Sequence, residues 1–360
     1  MRDILPDLDR WRRDNETIAL ATLVSARGST PRLPGARLGV TRSGKMTGSV
    51  SGGCVESDVF EHAMQVLDAG APRVVNYGVT DEDAIRVGLS CGGSIDVLIE
   101  PFATTDAWRA IEEAIAHERS AVLAIGLSPA PLLARKLAVR DDGSLVGSVD
   151  PRVDAEVSAE ARRLLARGGT QILNVSWQGD EARVFLEAFS PPLRLFIVGA
   201  THTATVLCRL AKPLGFRVTV IDPRGLYATP ERFANADELL HERPEEVLDR
   251  TALDARSYVV VLTHDPKFDI PTLTRALRSE ARYIGIMSNR RTYAHRKAQL
   301  VREGFSEAEL IRIRAPIGLD LGGRNPEEMA LAIVAEMVAV RYGRDGRPLA
   351  ATDEPIHGDS

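Results

Sequence analysis

The pattern of apolar residues changes at Ser190-Pro191-Pro192, and beyond these residues two patterns alternate regularly. Continuous apolar runs typical of buried parallel strands occupy 193–198, 217–221, 258–263 and 283–287. Segments with helical periodicity lie between or after them, at 203–214, 244–252, 270–279, 291–303 and 327–341. Strands that alternate with helices of this length predict a Rossmann-like, doubly wound parallel sheet.

The chain before the prolines has shorter apolar segments that are separated by glycine-rich turns. Strands are predicted at 18–24, 37–40, 45–50, 73–77, 94–100, 121–127, 171–176 and 183–187, and helices at 56–68, 106–117 and 155–167. We find no convincing internal repeat in this part of the sequence. The expected fold class is α/β, with an α+β domain over 1–189, a Rossmann-like domain over 193–345 and a disordered tail over 346–360.

The composition of the 360 residues narrows the range of functions. The formal charge is −5, with acidic and basic residues interspersed, which argues against nucleic acid and anionic membranes as partners. The longest apolar runs are too short to cross a bilayer, and residues 1–16 lack the apolar core of a signal peptide. We therefore expect a cytoplasmic protein. Its three cysteines do not form a disulfide framework, so each is a core residue, a ligand or a reactive thiol.

Three glycine-rich segments of the first domain are difficult to explain by packing, and they span 26–37, 48–56 and 88–93. Cys54 lies in the second segment, just before a predicted helix, and Cys91 lies in the third. Glycine pairs let backbone N–H groups approach an anion, and a helix N-terminus favours bound phosphate and the thiolate form of cysteine. Arg27, Arg32 and Arg37 would add charge-assisted contacts to a phosphate. The alternative is that these segments are tight turns around small buried cysteines.

Zinc is not expected at these cysteines, because neither has a second cysteine or histidine within four residues. The segments instead resemble the signature segments of a known family. ARGSTPRLPGARLGV, TGSVSGGCVESDV and GLSCGGSIDVLIEP are similar to those of the XdhC/CoxI proteins, accessory factors of xanthine dehydrogenase and carbon monoxide dehydrogenase. The resemblance continues through the second domain and covers nearly the whole chain.

The resemblance implies a maturation factor rather than a stand-alone catalyst. Such a protein binds the molybdenum cofactor, supports its sulfuration and delivers it to an apo molybdenum hydroxylase, with a cysteine desulfurase as a further partner. The cofactor is molybdopterin in its mononucleotide or dinucleotide form. Cys54 and Cys91 would be the family's motif cysteines, acting as molybdenum ligands or as sulfur carriers, since both roles suit soft metal–sulfur chemistry.

A fingerprint for dinucleotides is present in altered form at the start of the second domain. Gly199 and His202 lie between a predicted strand and a predicted helix, and Asp222 ends the next strand, where an acid would meet a ribose. Thr201 occupies the position where the backbone passes closest to a pyrophosphate, so its branched side chain is a departure from the pattern. The fingerprint therefore supports Rossmann topology more strongly than NAD(P) binding.

Further polar loops are predicted at the carboxyl edge of the same sheet, at 264–269, 285–291 and 314–323. Each of them is also compatible with a simple turn. Arg224, beside Asp222, would either meet a 2′-phosphate or pair with the acid, and His202 and His264 are acid–base groups or helix caps. Cys208 falls on the apolar face of a helix and is interpreted as a core residue.

The residues predicted to contact the cofactor, besides the two cysteines, are Arg27, Ser51, Gly52, Gly53, Gly92, Gly93, Gly199, Thr201, His202, Asp222, His264, Asp265, Gly322 and Gly323. The alternative function is an NAD(P)-dependent oxidoreductase with Cys54 or Cys91 as a redox-active thiol. The altered fingerprint and the lack of a Cys-x-x-Cys pair count against it. The sequence leaves the client enzyme, the cofactor form and homodimer formation open.

Overall fold

The computed structural model describes residues 1, 3–28, 30–78 and 93–352. The chain divides into two compact units, Met1–Pro191 and Pro192–Ser360. Of the tail predicted from the sequence, residues 353–360 lie outside the described part. No helix of that part is long and apolar enough to cross a membrane.

The first unit consists of two halves with the same order of elements. The first half contains α1 (Leu5–Arg13), β1 (Ile18–Arg27), β2 (Arg37–Thr41), β3 (Met46–Gly48), α2 (Glu56–Ala69), β4 (Arg73–Tyr77) and β5 (Ser94–Pro101). The second half contains α3 (Asp106–Ala116), β6 (Ala121–Ser128), β7 (Lys136–Arg140), β8 (Leu145–Ser148), α4 (Asp154–Arg167), β9 (Thr170–Trp177) and β10 (Asp180–Phe189). These ranges confirm the predicted mixture of helices and short strands.

Each half forms an antiparallel five-stranded sheet, and the two sheets have the same topology. The strand order is β3-β2-β1-β5-β4 in the first and β8-β7-β6-β10-β9 in the second. The expectation that this domain has no internal repeat is therefore wrong. The repeat is difficult to see in the sequence because the topology requires the same residue type at few positions. One such pair is Gly48, the last residue of β3, and Gly147, the residue before the last of β8.

The two sheets enclose a shared core, and each carries a helix on its outer face. Alternate residues of β1 divide between the two faces. Ala19, Ala21 and Leu23 pack with α2, whereas Leu20 and Val24 pack with α1, α3 and residues of β6 in the shared core. Residues of β6 on the opposite face pack with α4. Both central strands are thus buried on both faces, which explains their nearly continuous apolar sequences.

The second unit is an all-parallel six-stranded sheet with helices on both faces. Its strands are β11 (Leu193–Val198), β12 (Phe216–Ile221), β13 (Glu238–Leu240), β14 (Ser257–Val261), β15 (Tyr283–Ile286) and β16 (Ile313–Arg314). Its helices are α5 (His202–Ala211), α6 (Pro244–Asp249), α7 (Pro266–Leu277), α8 (Arg290–Arg302), α9 (Glu307–Leu310) and α10 (Pro326–Arg341). The strand order β13-β12-β11-β14-β15-β16 confirms the predicted doubly wound sheet.

Local signals in the sequence determine where several of these helices begin. Asn325 caps α10 by accepting a hydrogen bond from the backbone N–H of Glu328, and Pro326 follows at the first helical position. Asp265 caps α7, which therefore begins before the predicted boundary at residue 270. The strand order reverses between β11 and β14, so the carboxyl ends of these strands border the crevice where open α/β sheets usually bind ligands.

Candidate functional site

The loop between β3 and α2 presents Cys54 on the surface of the first unit. The thiol is free and exposed, so Cys54 is not the small buried cysteine of the alternative interpretation. Cys208, by contrast, is buried in α5, and burial raises its pKa to about 11. Cys91 and Gly92 lie outside the described residues, so the structure gives no position for the second motif cysteine.

Glu56, the first residue of α2, occupies the position in this loop where the sequence predicts a bound anion. Its carboxylate accepts from the backbone N–H groups of Ser51, Gly52 and Gly53 at 2.9, 3.1 and 2.8 Å. It also accepts from the Ser49 hydroxyl at 2.6 Å and from the hydroxyl of Ser51. The predicted phosphate contacts of these amides are thus replaced by an internal carboxylate.

The charge of Glu56 is strongly stabilised by this arrangement. Burial raises its pKa, but hydrogen bonds from Ser49 and Ser51 outweigh burial and lower the pKa to about 2. A carboxylate that accepts several N–H and O–H bonds is favoured in its charged form. Glu56 is therefore ionised at neutral pH and closes the loop through these hydrogen bonds.

Ser51 connects Glu56 to the backbone of the cysteine. Its side chain is buried, and its hydroxyl oxygen accepts from the N–H groups of Cys54 and Val55, both at 3.0 Å. Gly52 and Gly53 have φ angles of 79° and 117°, which glycine adopts without strain. Apart from its chain neighbours, a Cβ added at Gly53 would meet no atom of the described residues within 4 Å.

The arginines predicted to contact a phosphate differ in their exposure to solvent. Arg27 ends β1 with an exposed side chain, and the sheet register pairs it with Ser94, next to Gly93 of the third glycine segment. Arg37 is instead buried, and its guanidinium donates to Glu187, with Nη1 2.8 Å from Oε1. Arg37 is therefore a structural residue, and its predicted contact with phosphate is wrong.

The altered fingerprint of the second unit lies at the carboxyl end of β11. Gly199 is buried with a φ of 107°, and a Cβ there would contact Thr263 after β14. The Thr201 hydroxyl accepts from the N–H of Ala204 at 3.2 Å and caps α5. His202 is exposed, with Nε2 3.1 Å from a carboxylate oxygen of Glu327. Thr201 thus acts as a helix cap in this structure.

Asp222 is fully buried at the end of β12, and its oxygens bind other groups of the protein. They accept from the N–H of Ala200 at 2.8 Å and from the Arg224 guanidinium at 2.9 and 2.7 Å. Burial raises the pKa of Asp222, but the hydrogen bonds from Arg224 and Ala200 outweigh it, and the pKa is lowered. Of the two alternatives for Arg224, the structure has the ion pair. Asp222 is not presented to a ribose as the sequence predicted.

The loop after β14 contains an exposed histidine above a buried ion pair. His264 has a φ of 62°, which is uncommon for a residue other than glycine, and Asp265 caps α7. Beneath them, the fully buried Asp269 accepts from Thr263 and from Arg296, whose Nε lies 2.8 Å away. Burial raises the pKa of Asp269. Nothing in the sequence predicts this pair, because Arg296 is distant from Asp269 along the chain and has no motif around it.

The glycine pair before α10 borders a further cavity of the second unit. Gly322 and Gly323 are exposed, and with residues such as Leu319 and Arg324 they line a cavity of about 370 Å³. Within residues 1, 3–28, 30–78 and 93–352, no group of three or more His, Cys, Asp or Glu side chains could hold a metal ion. Among the described residues, Cys54 is therefore a single exposed thiol that could ligate a metal, without a preformed group of ligands around it.

Segments of both units match the models of known families. Residues 11–78 match the model of the XdhC and CoxI family, and residues 195–337 match the model of the XdhC Rossmann domain. The chain belongs to the XdhC and CoxI family. The first match includes the Cys54 loop, and the second includes the loops after β11, β12 and β14. The resemblance seen in the sequence is thus confirmed.

Relatives of similar length carry related names. The chain is 27% identical over 339 residues to a probable xanthine dehydrogenase subunit of Bacillus subtilis, covering 93% of this chain and 96% of the relative. It is 24% identical over 326 residues to the molybdenum cofactor insertion chaperone PaoD of Escherichia coli, covering 91% and 84%. A crystal structure described as a xanthine dehydrogenase from Bacillus halodurans aligns with a TM-score of 0.77 at 24% identity, over 98% of each chain, and shows the same fold.

Proposed function

We propose that this protein is a chaperone that binds the molybdenum cofactor as cargo, supports its sulfuration and inserts it into an apo hydroxylase of the xanthine or carbon monoxide dehydrogenase type. The observation that supports this proposal is the free, exposed Cys54 in a loop closed by hydrogen bonds, within the segment that matches the family. A relative over most of the chain is named as a molybdenum cofactor insertion chaperone. We also propose a cytoplasmic location, with a cysteine desulfurase as a second partner.

In this proposal the thiol of Cys54 is the contact to the reactive part of the cargo. A thiolate is a soft ligand that suits molybdenum and sulfur, whereas the oxygen ligands around it are already hydrogen-bonded within the loop. Cys91 would act with Cys54 as ligand or sulfur carrier.

The carboxyl edge of the parallel sheet of the second unit is proposed to bind an anionic part of the cargo. Gly199, His202, His264 and Asp265 follow the two strands at which the strand order reverses. The exposed His202 and His264 side chains lie at this edge, with His202 Nε2 paired to Glu327, whereas Thr201 and Asp222 would act by shaping the loops. Gly322 and Gly323 would contribute through the cavity before α10.

The test is to purify the protein after co-expression with the pathway that makes the cofactor. Bound pterin and molybdenum are measured for the wild type, Cys54→Ala and Cys91→Ala, together with activation of an apo hydroxylase. We expect both variants to lose activation at least tenfold, whereas Cys208→Ser, which removes a buried thiol, retains it. The proposal fails if the wild type carries no pterin and both motif variants still activate the hydroxylase.

An NAD(P)-dependent oxidoreductase with a redox-active cysteine has less support. The Thr201 hydroxyl caps α5, and both oxygens of Asp222 bind Ala200 and Arg224. The Asp222 side chain, which the sequence placed where an acid would meet a ribose, is thus engaged within the protein, and Thr201 remains a departure from the fingerprint.

A further inference from the structure

The loop that presents Cys54 has a counterpart in the second half of the first unit. Gly-Ser-Val precedes both loops, and both loops are closed by an acid at the first position of the following helix. In the second half, Asp154 accepts from the Ser148 hydroxyl and from the N–H groups of Val149 and Asp150 at 3.0 and 3.1 Å. Asp154 therefore closes its loop as Glu56 does in the first half.

The length of the acid changes together with the length of the loop. Ser49 and Glu56 are seven positions apart, whereas Ser148 and Asp154 are six apart. The longer side chain of glutamate thus closes a loop with one more residue. The difference lies at the tip, where the first half has Gly52, Gly53 and Cys54 and the second half has Pro151 and Arg152. The second half is a copy of the scaffold that presents no thiol.

The contacts of Glu56 continue to the backbone of the cysteine. Glu56 accepts from the hydroxyl of Ser51, and the same hydroxyl oxygen accepts from the N–H of Cys54. Val55, the residue before the helix, has no side-chain hydrogen bond to cap it, so this chain of bonds supplies the cap. Charged hydrogen bonds of this kind are among the stronger ones in proteins.

We propose that Glu56 is a positioning residue for Cys54, which fixes through Ser51 the backbone that presents the exposed thiol. Asp154 is its structural equivalent without this role. The proposal rests on the proposed function of Cys54 as the contact to the cargo. It also assigns the loop amides to Glu56 rather than to a phosphate of the cargo, because the carboxylate occupies them.

The repeat provides a matched control for the experiment. Glu56→Gln and Asp154→Asn each replace a loop-closing carboxylate by the amide of the same size. For both variants we measure the unfolding midpoint, activation of an apo hydroxylase, and the rate at which iodoacetamide alkylates Cys54, resolved by peptide mass spectrometry against the buried Cys208.

Both variants are expected to lower the unfolding midpoint, but only Glu56→Gln is expected to change the chemistry at Cys54. It should reduce activation at least tenfold and accelerate alkylation of Cys54 at least threefold, because it removes a negative charge and releases the loop. Asp154→Asn should leave both quantities within twofold of the wild type. Ser51→Ala, which breaks the connection between Glu56 and Cys54, should reproduce the effects of Glu56→Gln and serves in its place if that variant does not fold.

Equal effects of Glu56→Gln and Asp154→Asn on activation and alkylation would overturn the proposal and leave Glu56 with a purely structural role. The function of Cys54 is judged separately. If Cys54→Ala still activates the hydroxylase, Cys54 is not the required contact to the cargo, while the alkylation rates still decide whether Glu56 positions the thiol.

Discussion

Arg37 of the first half donates to Glu187 of the second half, with Arg37 Nη1 2.8 Å from Glu187 Oε1. The repeat contains the reciprocal pair, since Lys136 donates to Glu100. Arg37 and Lys136 are the first residues of β2 and β7, and all four side chains have little exposure to solvent. The two halves of the first unit are therefore joined by two equivalent ion pairs. The first half supplies the cation of one pair and the second half supplies the cation of the other.

Removing one partner of such a pair is expected to destabilise the folded protein strongly. Arg37→Met leaves the Glu187 carboxylate buried without its cation, which should lower the free energy of unfolding by about 3–5 kcal/mol. The double variant Arg37→Met/Glu187→Leu should recover most of this loss, because no buried charge remains. Urea denaturation of the single and double variants measures the difference. A double variant as unstable as Arg37→Met would contradict the explanation.

The repeat also predicts equal sensitivity at two glycines. Gly48 and Gly147 both have a φ of 82°, and a Cβ at either would collide with a backbone carbonyl oxygen, that of Arg37 or Lys136. Alanine at each position should lower the free energy of unfolding by about 3 kcal/mol or more, from backbone strain and steric overlap together. Gly44→Ala is the control, because Gly44 has a φ of 88° and an added Cβ would meet no atom of the described residues within 4 Å. This substitution should lower the free energy of unfolding by only about 1–2 kcal/mol. Thermal and chemical unfolding of the three variants test this order.

The sequence predicted the parallel sheet well because its strands are continuous apolar runs bounded by polar loops. It did not reveal the repeat. Few side chains are required at the same place in both halves, and the acids that close the loops differ in length, as Glu56 and Asp154 do. Residue types at the candidate site were also easier to predict than their partners. The pairing of Arg224 with Asp222, two residues away, was one of the alternatives read from the sequence. Nothing local indicates that Asp222 also accepts from the N–H of Ala200, because this contact depends on how the loops fold back.

Acid should weaken the loop that presents Cys54. The pKa of Glu56 is lowered from 4.5 to about 2 in the folded protein, so its stabilising contribution is present above pH 4.5 and is lost as the pH falls towards 2. Because Glu56 is partly exposed, we expect only about 1–2 kcal/mol after allowance for solvent screening. The quantity to measure is the difference in unfolding free energy between the wild type and Glu56→Gln at pH 7, 4.5 and 3. A difference that is constant over this range would contradict the assignment.

Asp222 should affect stability rather than nucleotide affinity. Asp222→Ala leaves the buried N–H of Ala200 without its acceptor and Arg224 without its partner, which should cost about 2–4 kcal/mol. Thermal unfolding with and without NAD or NADP separates the two roles. We expect a lower midpoint for the variant and no shift from either nucleotide for either protein. A nucleotide-induced rise in the wild type that Asp222→Ala abolishes would restore the ribose contact predicted from the sequence.

The stability of Arg296→Met, which breaks the buried pair of Asp269 and Arg296, should depend strongly on pH. In the wild type, burial raises the pKa of Asp269, while Thr263 and Arg296 oppose that rise. Arg296→Met removes the cation, so the pKa of Asp269 should rise further above its value in the unfolded chain. A carboxylic acid with a raised folded pKa is tolerated below its unfolded pKa, about 4, and reduces stability as the pH rises above it.

Arg296→Met should therefore be closest to the wild type near pH 4 and lose about 3–5 kcal/mol by pH 8. Arg296→Met/Asp269→Asn has no buried acid to ionise, so its loss of stability should be nearly independent of pH. Urea denaturation of both variants and the wild type at pH 4, 6 and 8 provides the comparison. If the single and double variants respond to pH in the same way, Asp269 is not the group that titrates. Another carboxylate would then account for the dependence, and the buried pair would act only through packing.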